Sequence, residues 1–302
     1  MNDNASPKPG WRERAFIVLQ WLLPQHLLSR LMHSIARCEW PPLKRRLIAH
    51  VTHRYRIDLS EAVEPDADAY RSFNHLFTRA LRPDARPFSD DPDDLLCPAD
   101  GVISAIGDIH DGELIQAKGM AYTLEELLGG NAALAEPFRN GLFVTIYLSP
   151  RDYHRVHMPA SGLLREMIHV PGRLFSVNEV TTRLLPRLFA RNERVVNLFQ
   201  SDFGPFALIL VGAIFVSSID TVWAGTVTPR RLGATHWRYR EPALPPSLER
   251  GAEMGRFNMG STVILLFPAD SITWRDELQA GAAVHVGETL ARRYIRRRGD
   301  ES

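Results

Sequence analysis

The sequence predicts an α+β protein, with N-terminal amphipathic helices followed by a mainly antiparallel β-rich domain. Three observations carry this. Apolar residues before position 60 recur at helical spacing, short runs rich in Ile and Val dominate from Cys97 onward, and the two patterns are segregated along the chain. With 302 residues, 45% of them hydrophobic, the chain can build a sizeable core.

The residues through Gly10 are polar and read as a loose terminus. The run Ala15–Leu23 is too short to cross a bilayer, which takes about 20 apolar residues. Pro24 interrupts it and suits the first turn of a second helix, where Leu27, Leu28, Leu31, Met32 and Ile35 form one stripe. The amphipathic pattern continues where a signal cleavage site would fall, which argues against a secretory leader. The pair either packs on the protein's own core or lies in a membrane surface. Trp11, Trp21 and Trp40 with flanking arginines are the residues an interface selects.

A third helix is expected from Leu43 to Tyr55 and a short one from Ser72 to Leu81, ended by Pro83 and Pro87. Asp90 to Asp94 read as a solvated acidic loop, since nothing nearby completes a ligand set. Strands are expected over 101–109, 142–148, 163–170, 222–227, 263–267 and 284–288. The run 207–219 reads as a strand with a bulge or a tight corner at Gly212. Thr123 with Glu126 makes a capping box for one inserted helix. Residues 240–250, with Pro242, Pro245 and Pro246, read as a loop.

The net charge of +1 argues against a nucleic-acid binder that works by bulk electrostatics, although Lys44–Arg46, Arg292–Arg293 and Arg296–Arg298 are locally basic. Two cysteines, Cys38 and Cys97, make no disulfide framework and fit a reducing compartment. There is no internal repeat and no zinc-type spacing.

The chemistry gathers around Glu253–Thr262, immediately before the apolar run Val263–Phe267. Gly260 leaves its carbonyl open to close approach and has backbone freedom other residues lack, and Ser261 sets a hydroxyl beside it. Alone, this is a Gly-Ser-Thr turn entering a strand. Asp100, next to Gly101, is ordinarily a turn former. His154 and His157 stand three apart, a spacing that points them to opposite faces of an extended segment and favours separate roles over joint metal ligation. Asp100, His157 and Ser261 supply an orienting carboxylate, a base and a nucleophile, a set recognised by geometry and not by chain order. Ser261 lacks the Gly-x-Ser-x-Gly elbow of α/β-hydrolases.

Met254-Gly255-Arg256-Phe257 followed by Gly260-Ser261-Thr262-Val263-Ile264 resembles the self-processing site of phosphatidylserine decarboxylases. The resemblance extends through Pro98–Gly101, Tyr153–Pro159, Pro171–Asn178, Phe189–Arg194 and Trp223–Val227, in order, from about Phe73 on. Met259 departs from it, since that position more often holds leucine or another apolar residue.

The resemblance implies that His157, oriented by Asp100, deprotonates Ser261, whose Oγ attacks the Gly260 carbonyl. Elimination then divides the precursor into a β chain, 1–260, and an α chain, 261–302, with Ser261 becoming a covalent pyruvoyl group. That group condenses with the amine of phosphatidylserine and holds the electrons released as carbon dioxide leaves. It implies His154 as the acid that protonates the product carbon, with His157 second, and phosphatidylethanolamine as the product. No metal or external cofactor is required. Residues 1–60 would be a membrane-associating segment and 61–302 the catalytic domain, held peripherally at the cytoplasmic face of the cell membrane, with a homodimer plausible. Three rivals remain: a pyruvoyl decarboxylase of a soluble amino acid, a serine hydrolase using Asp100, His157 and Ser261 without self-cleavage, and a non-enzymatic membrane-surface scaffold.

Overall fold

The computed structural model describes residues 10–117, 120–215, 218–228, 233–239, 245–260 and 262–294. Residues before Gly10, Ser261, the 240–244 part of the proline-rich loop and the Arg296–Arg298 run lie outside the described residues.

Helices α1 (Trp11–Leu22) and α2 (Gln25–Ala36) flank Pro24, and α3 (Pro41–Tyr55) begins on two prolines, which suit the first turn because their missing N–H groups would be unpaired there anyway. Trp11, Val18, Leu22, Leu27 and Leu31 remain exposed, Trp11 by 75% and Leu22 by 77%. Among the described residues no helix is long and apolar enough to cross a membrane. A small core joins Ala36 and Ile48 to Tyr70, Phe73, Leu76 and Phe77 across residue 60. The last three belong to α4 (Phe73–Phe77), whose start is capped by Ser72 Oγ accepting from the His75 N–H at 3.3 Å. This helix ends four residues earlier than the expected Leu81.

The main sheet is antiparallel throughout. Its order is Thr235–Arg238, Gly162–Val170, Arg194–Ser201, Gly204–Val211, Thr262–Phe267, Leu142–Tyr147, Gly101–Asp108 and Ala283–Val284. Thr262–Phe267 is wholly buried, as a central strand covered on both faces must be. A second sheet runs Gly225–Thr226, Ser218–Thr221, Glu253–Asn258 and Arg155–His157.

Several expectations change. The 207–219 run is two strands in two sheets, divided at the Gly212 corner, where the Gly212 N–H donates to the Glu193 carbonyl at 2.8 Å. Of the expected strand 222–227 only Gly225–Thr226 is extended, after a turn over 222–224, and of the expected strand 284–288 only Val284 is. Asp94 is not solvated. It sits buried in the strand Asp94–Leu96, accepting from Arg292 Nε at 2.9 Å and Thr289 Oγ1 at 3.0 Å. Its partners come from the far end of the chain, so no local pattern announced them. The strand Arg194–Ser201 escaped notice because it buries polar side chains. Arg194 donates to the carbonyls of Leu127, Ala190 and Asn192 at 2.6–2.9 Å, and Asn197 to that of Leu208 at 2.9 Å.

Candidate functional site

The strand Glu253–Asn258 belongs to the second sheet and Thr262–Phe267 to the first, so Met259–Gly260 begins the passage between them. Asn258 fixes the near end, accepting from Asn74 Nδ2 at 2.9 Å and donating to Ser218 Oγ at 2.7 Å. Met259 has φ of 86°, a left-handed conformation that a long side chain rarely adopts. The conformational freedom expected of Gly260 is therefore drawn on one residue earlier, since Gly260 itself is not in that region. A Cβ built on Gly260 would lie 3.5 Å from His154 Nε2 and 3.5 Å from the Leu148 carbonyl oxygen, ordinary contact distances.

His154 reaches this point by the same ladder, because the Phe257 N–H donates to its carbonyl at 3.0 Å. Its ring is fully buried, 4.0 Å between centroids from Phe77. Nδ1 is 2.8 Å from the Asp152 carbonyl oxygen, which only accepts, so Nδ1 carries the proton. Burial pushes the imidazole down to about 3, against the smaller raising effect of that carbonyl. Neutral and protonated on Nδ1, the ring presents a lone pair at Nε2, which has no hydrogen-bond partner among the described residues.

Three residues on, His157 faces other groups. Its Nδ1 donates to the Gly251 carbonyl at 2.7 Å and its Nε2 accepts from Tyr153 Oη at 3.0 Å. Burial lowers its pKa, with the Gly251 carbonyl opposing. Asp100 is buried and engaged elsewhere: Arg86 grips it through Nε at 3.1 Å and Nη2 at 2.6 Å, and the Val286 N–H donates at 2.8 Å. Arg86 Nη1 also donates to Glu61 at 2.9 Å, and although burial works against its charge, these carboxylates hold the pKa above the ordinary value. The Pro98 carbonyl accepts from the His157 N–H at 2.8 Å, so the two segments are neighbours, but no hydrogen bond joins the Asp100 and His157 side chains. The structure thus brings His154 to Gly260 and sets Asp100 and His157 in a flanking layer.

Sequence reasoning missed Asp152, Tyr153, Arg86 and Phe77. Only Asp152 left a local sign. Its carboxylate accepts from Ser149 N at 2.7 Å and Oγ at 2.8 Å, and that Ser-x-x-Asp spacing marks a turn.

Gly260 opens onto a cavity of about 640 Å³, walled by α1 and α3 through Phe16, Leu19 and Val51 and by Phe77, Val177 and Met259. Among the described residues no three His, Cys, Asp or Glu side chains gather to hold a metal ion.

The buried, neutral His154 has a testable cost. As pH falls below about 6.5 the unfolded chain protonates this ring, while the folded protein does not until about pH 3. Stability is greatest above pH 6.5 and is lost between those values, by about 2 kcal/mol at pH 5 from this ring. The thermal midpoint is expected to drop from pH 7.5 to pH 5 in the wild type, and to drop less in His154→Gln.

Fold and site together define a class: an α+β protein whose two sheets meet beside a buried neutral histidine, at the floor of an apolar cavity roofed by amphipathic helices. A family model described as Phosphatidylserine decarboxylase matches residues 73–292, and one described as PSD matches residues 15–56. The phosphatidylserine decarboxylase proenzyme of Bordetella pertussis is 56% identical over 282 residues, 93% of this chain and 95% of its own. That of Pseudomonas entomophila is 54% identical over 281 residues, 93% and 98% of the two chains. The chain belongs to the phosphatidylserine decarboxylase family.

Proposed function

We propose that this protein is a precursor that cleaves itself between Gly260 and Ser261 and then decarboxylates phosphatidylserine to phosphatidylethanolamine. The observation that carries the reading is the free lone pair of His154 Nε2 beside Gly260, at the floor of the apolar cavity. A neutral imidazole so placed accepts the Ser261 hydroxyl proton as Oγ attacks the Gly260 carbonyl carbon. The C–N bond breaks and the ester forms, with the proton passing to the amine. Elimination releases the Gly260 carboxylate, and hydrolysis of the remaining dehydroalanine gives ammonia and a pyruvoyl group at position 261. That group, once formed, supplies the electron sink for loss of carbon dioxide. His154, with His157 second, would return a proton to the product carbon after its Nε2 has taken that proton from the substrate ammonium as the imine forms.

The geometry favours His154 as the base at the junction. Asp100 and His157 stand in the flanking layer, where Tyr153 donates to His157 and lines a pocket of about 230 Å³ with Asp100. The cavity's apolar walls suit acyl chains better than a free amino acid, which weighs against the soluble-substrate rival. The exposed tryptophans and leucines of α1 and α2 match an interfacial helix pair, so residues 1–60 serve as the membrane-associating part and 61–302 as the catalytic part. The enzyme then works peripherally at the cytoplasmic face of the cell membrane; a homodimer is compatible with this arrangement.

The test is intact mass of the purified protein beside Ser261→Ala. Two fragments meeting at the Gly260–Ser261 bond, the shorter lacking a free amine, are expected for the wild type, and one uncut, inactive chain for the variant. A single chain in an active wild-type sample would sink the reading and favour a hydrolase.

A further inference from the structure

We propose that Gln20 and Gln25 are positioning residues, which hold from the amphipathic helices the backbone that shapes one wall of the substrate cavity. The inference rests on the decarboxylase reading and concerns how the cavity is built. Both side chains are amides on helices whose other faces are apolar and exposed, yet each is only 2% exposed. A segment that served only as an anchor would gain nothing from burying them, because an amide without partners costs about 1–3 kcal/mol.

Their partners explain their place. Gln25 Oε1 accepts from the Leu174 N–H at 2.8 Å and Gln20 Oε1 from the Ser176 N–H at 2.7 Å. These alternate amides lie along one edge of an extended segment, where a neighbouring strand would otherwise pair. Asn192 holds the residue between them, accepting from the Phe175 N–H at 3.0 Å and donating to its carbonyl at 2.9 Å. The two glutamines therefore stand in for a missing strand. Gln25 Nε2 donates to the Gln20 carbonyl at 2.7 Å, tying the two helices together across Pro24.

From this edge the bonds lead into the cavity. Gln20 Nε2 donates to Thr181 Oγ1 at 3.2 Å, and Thr181 Oγ1 donates to Asn178 Oδ1 at 3.0 Å. Ser176, Val177 and Asn178 line the cavity that Gly260 opens into. The position of that wall is thus set by helices that also face outward.

The experiment separates positioning from anchoring by removing the membrane. Gln20→Met and Gln25→Met keep volume and lose the amide. They are assayed on a short-chain phosphatidylserine dissolved below its aggregation concentration. Both variants are expected to self-cleave and to float with phosphatidylcholine–phosphatidylglycerol vesicles as the wild type does. KM on the dissolved substrate is expected to rise about tenfold, with kcat changed less. An unchanged KM there, or a defect confined to vesicles, would overturn the inference. Hydrogen exchange of the wild type keeps the test open if a variant fails to fold, or if the protein proves inactive on phosphatidylserine. The Leu174 and Ser176 amides are expected to be protected, and fast exchange at both overturns the latch. A wild type inactive on the lipid with both amides protected counts against the decarboxylase reading alone.

Discussion

His154→Gln is expected to leave the protein as one uncut chain after purification, with self-cleavage slowed by about 10²–10⁴-fold, the usual contribution of a positioned general base. Glutamine fills similar space and can still meet the Asp152 carbonyl, so the substitution removes the basic nitrogen and little else. His157→Gln is expected to slow cleavage by a smaller factor, since the Nε2 it removes already accepts from Tyr153. Intact mass against time, after translation without cells, reads both rates. The reverse order, with His157→Gln uncut and His154→Gln cut normally, would return the base to His157 and require Asp100 to leave Arg86.

Asp100→Ala is expected to act first on stability. It would strip Arg86, itself mostly buried, of a two-pronged partner and leave the Val286 N–H without its acceptor. Removing one member of a buried ion pair costs about 3–5 kcal/mol when the other charge is left alone, and the Glu61 carboxylate that still pairs with Arg86 holds the cost toward the lower end. For a chain of this size the thermal midpoint would fall by roughly 10 °C. The double variant Asp100→Leu with Arg86→Met should regain much of that loss. A single variant that melts within a degree or two of the wild type, yet cannot cleave, would show that Asp100 serves the reaction directly.

How far these residues can be read from sequence depends on where their partners lie. The order of helices then antiparallel strands was legible because its causes are periodic: the Leu27–Ile35 stripe and the Ile- and Val-rich runs carry their own spacing. Capping at Thr123 with Glu126 was legible for the same reason, both partners lying within one turn. Gly260 and the two histidines stood out as residue types suited to the chemistry. What could not be read was which histidine meets Gly260, because that follows from the pairing of Glu253–Asn258 with Arg155–His157, nearly a hundred positions apart. The pairing of Asp100 with His157 was an implication of the family resemblance and not of any local pattern. The actual partner of Asp100, Arg86, sits in a proline-flanked stretch whose only local reading was the end of a helix. Arg194 and Asn197 hid a central strand by looking too polar to be buried.

The main sheet also decides what becomes of the two pieces once the peptide bond is gone. Thr262–Phe267, which would begin the shorter piece, is clasped on one side by Gly204–Val211 and on the other by Leu142–Tyr147, both from the longer piece. Farther on, Thr289–Arg293 is stitched to Asp94–Leu96. The fragment is thus woven into its parent and cannot depart without unravelling it. Cleavage after Gly260 would change the covalent connectivity of the chain, while the molecule that carries it would remain a single body.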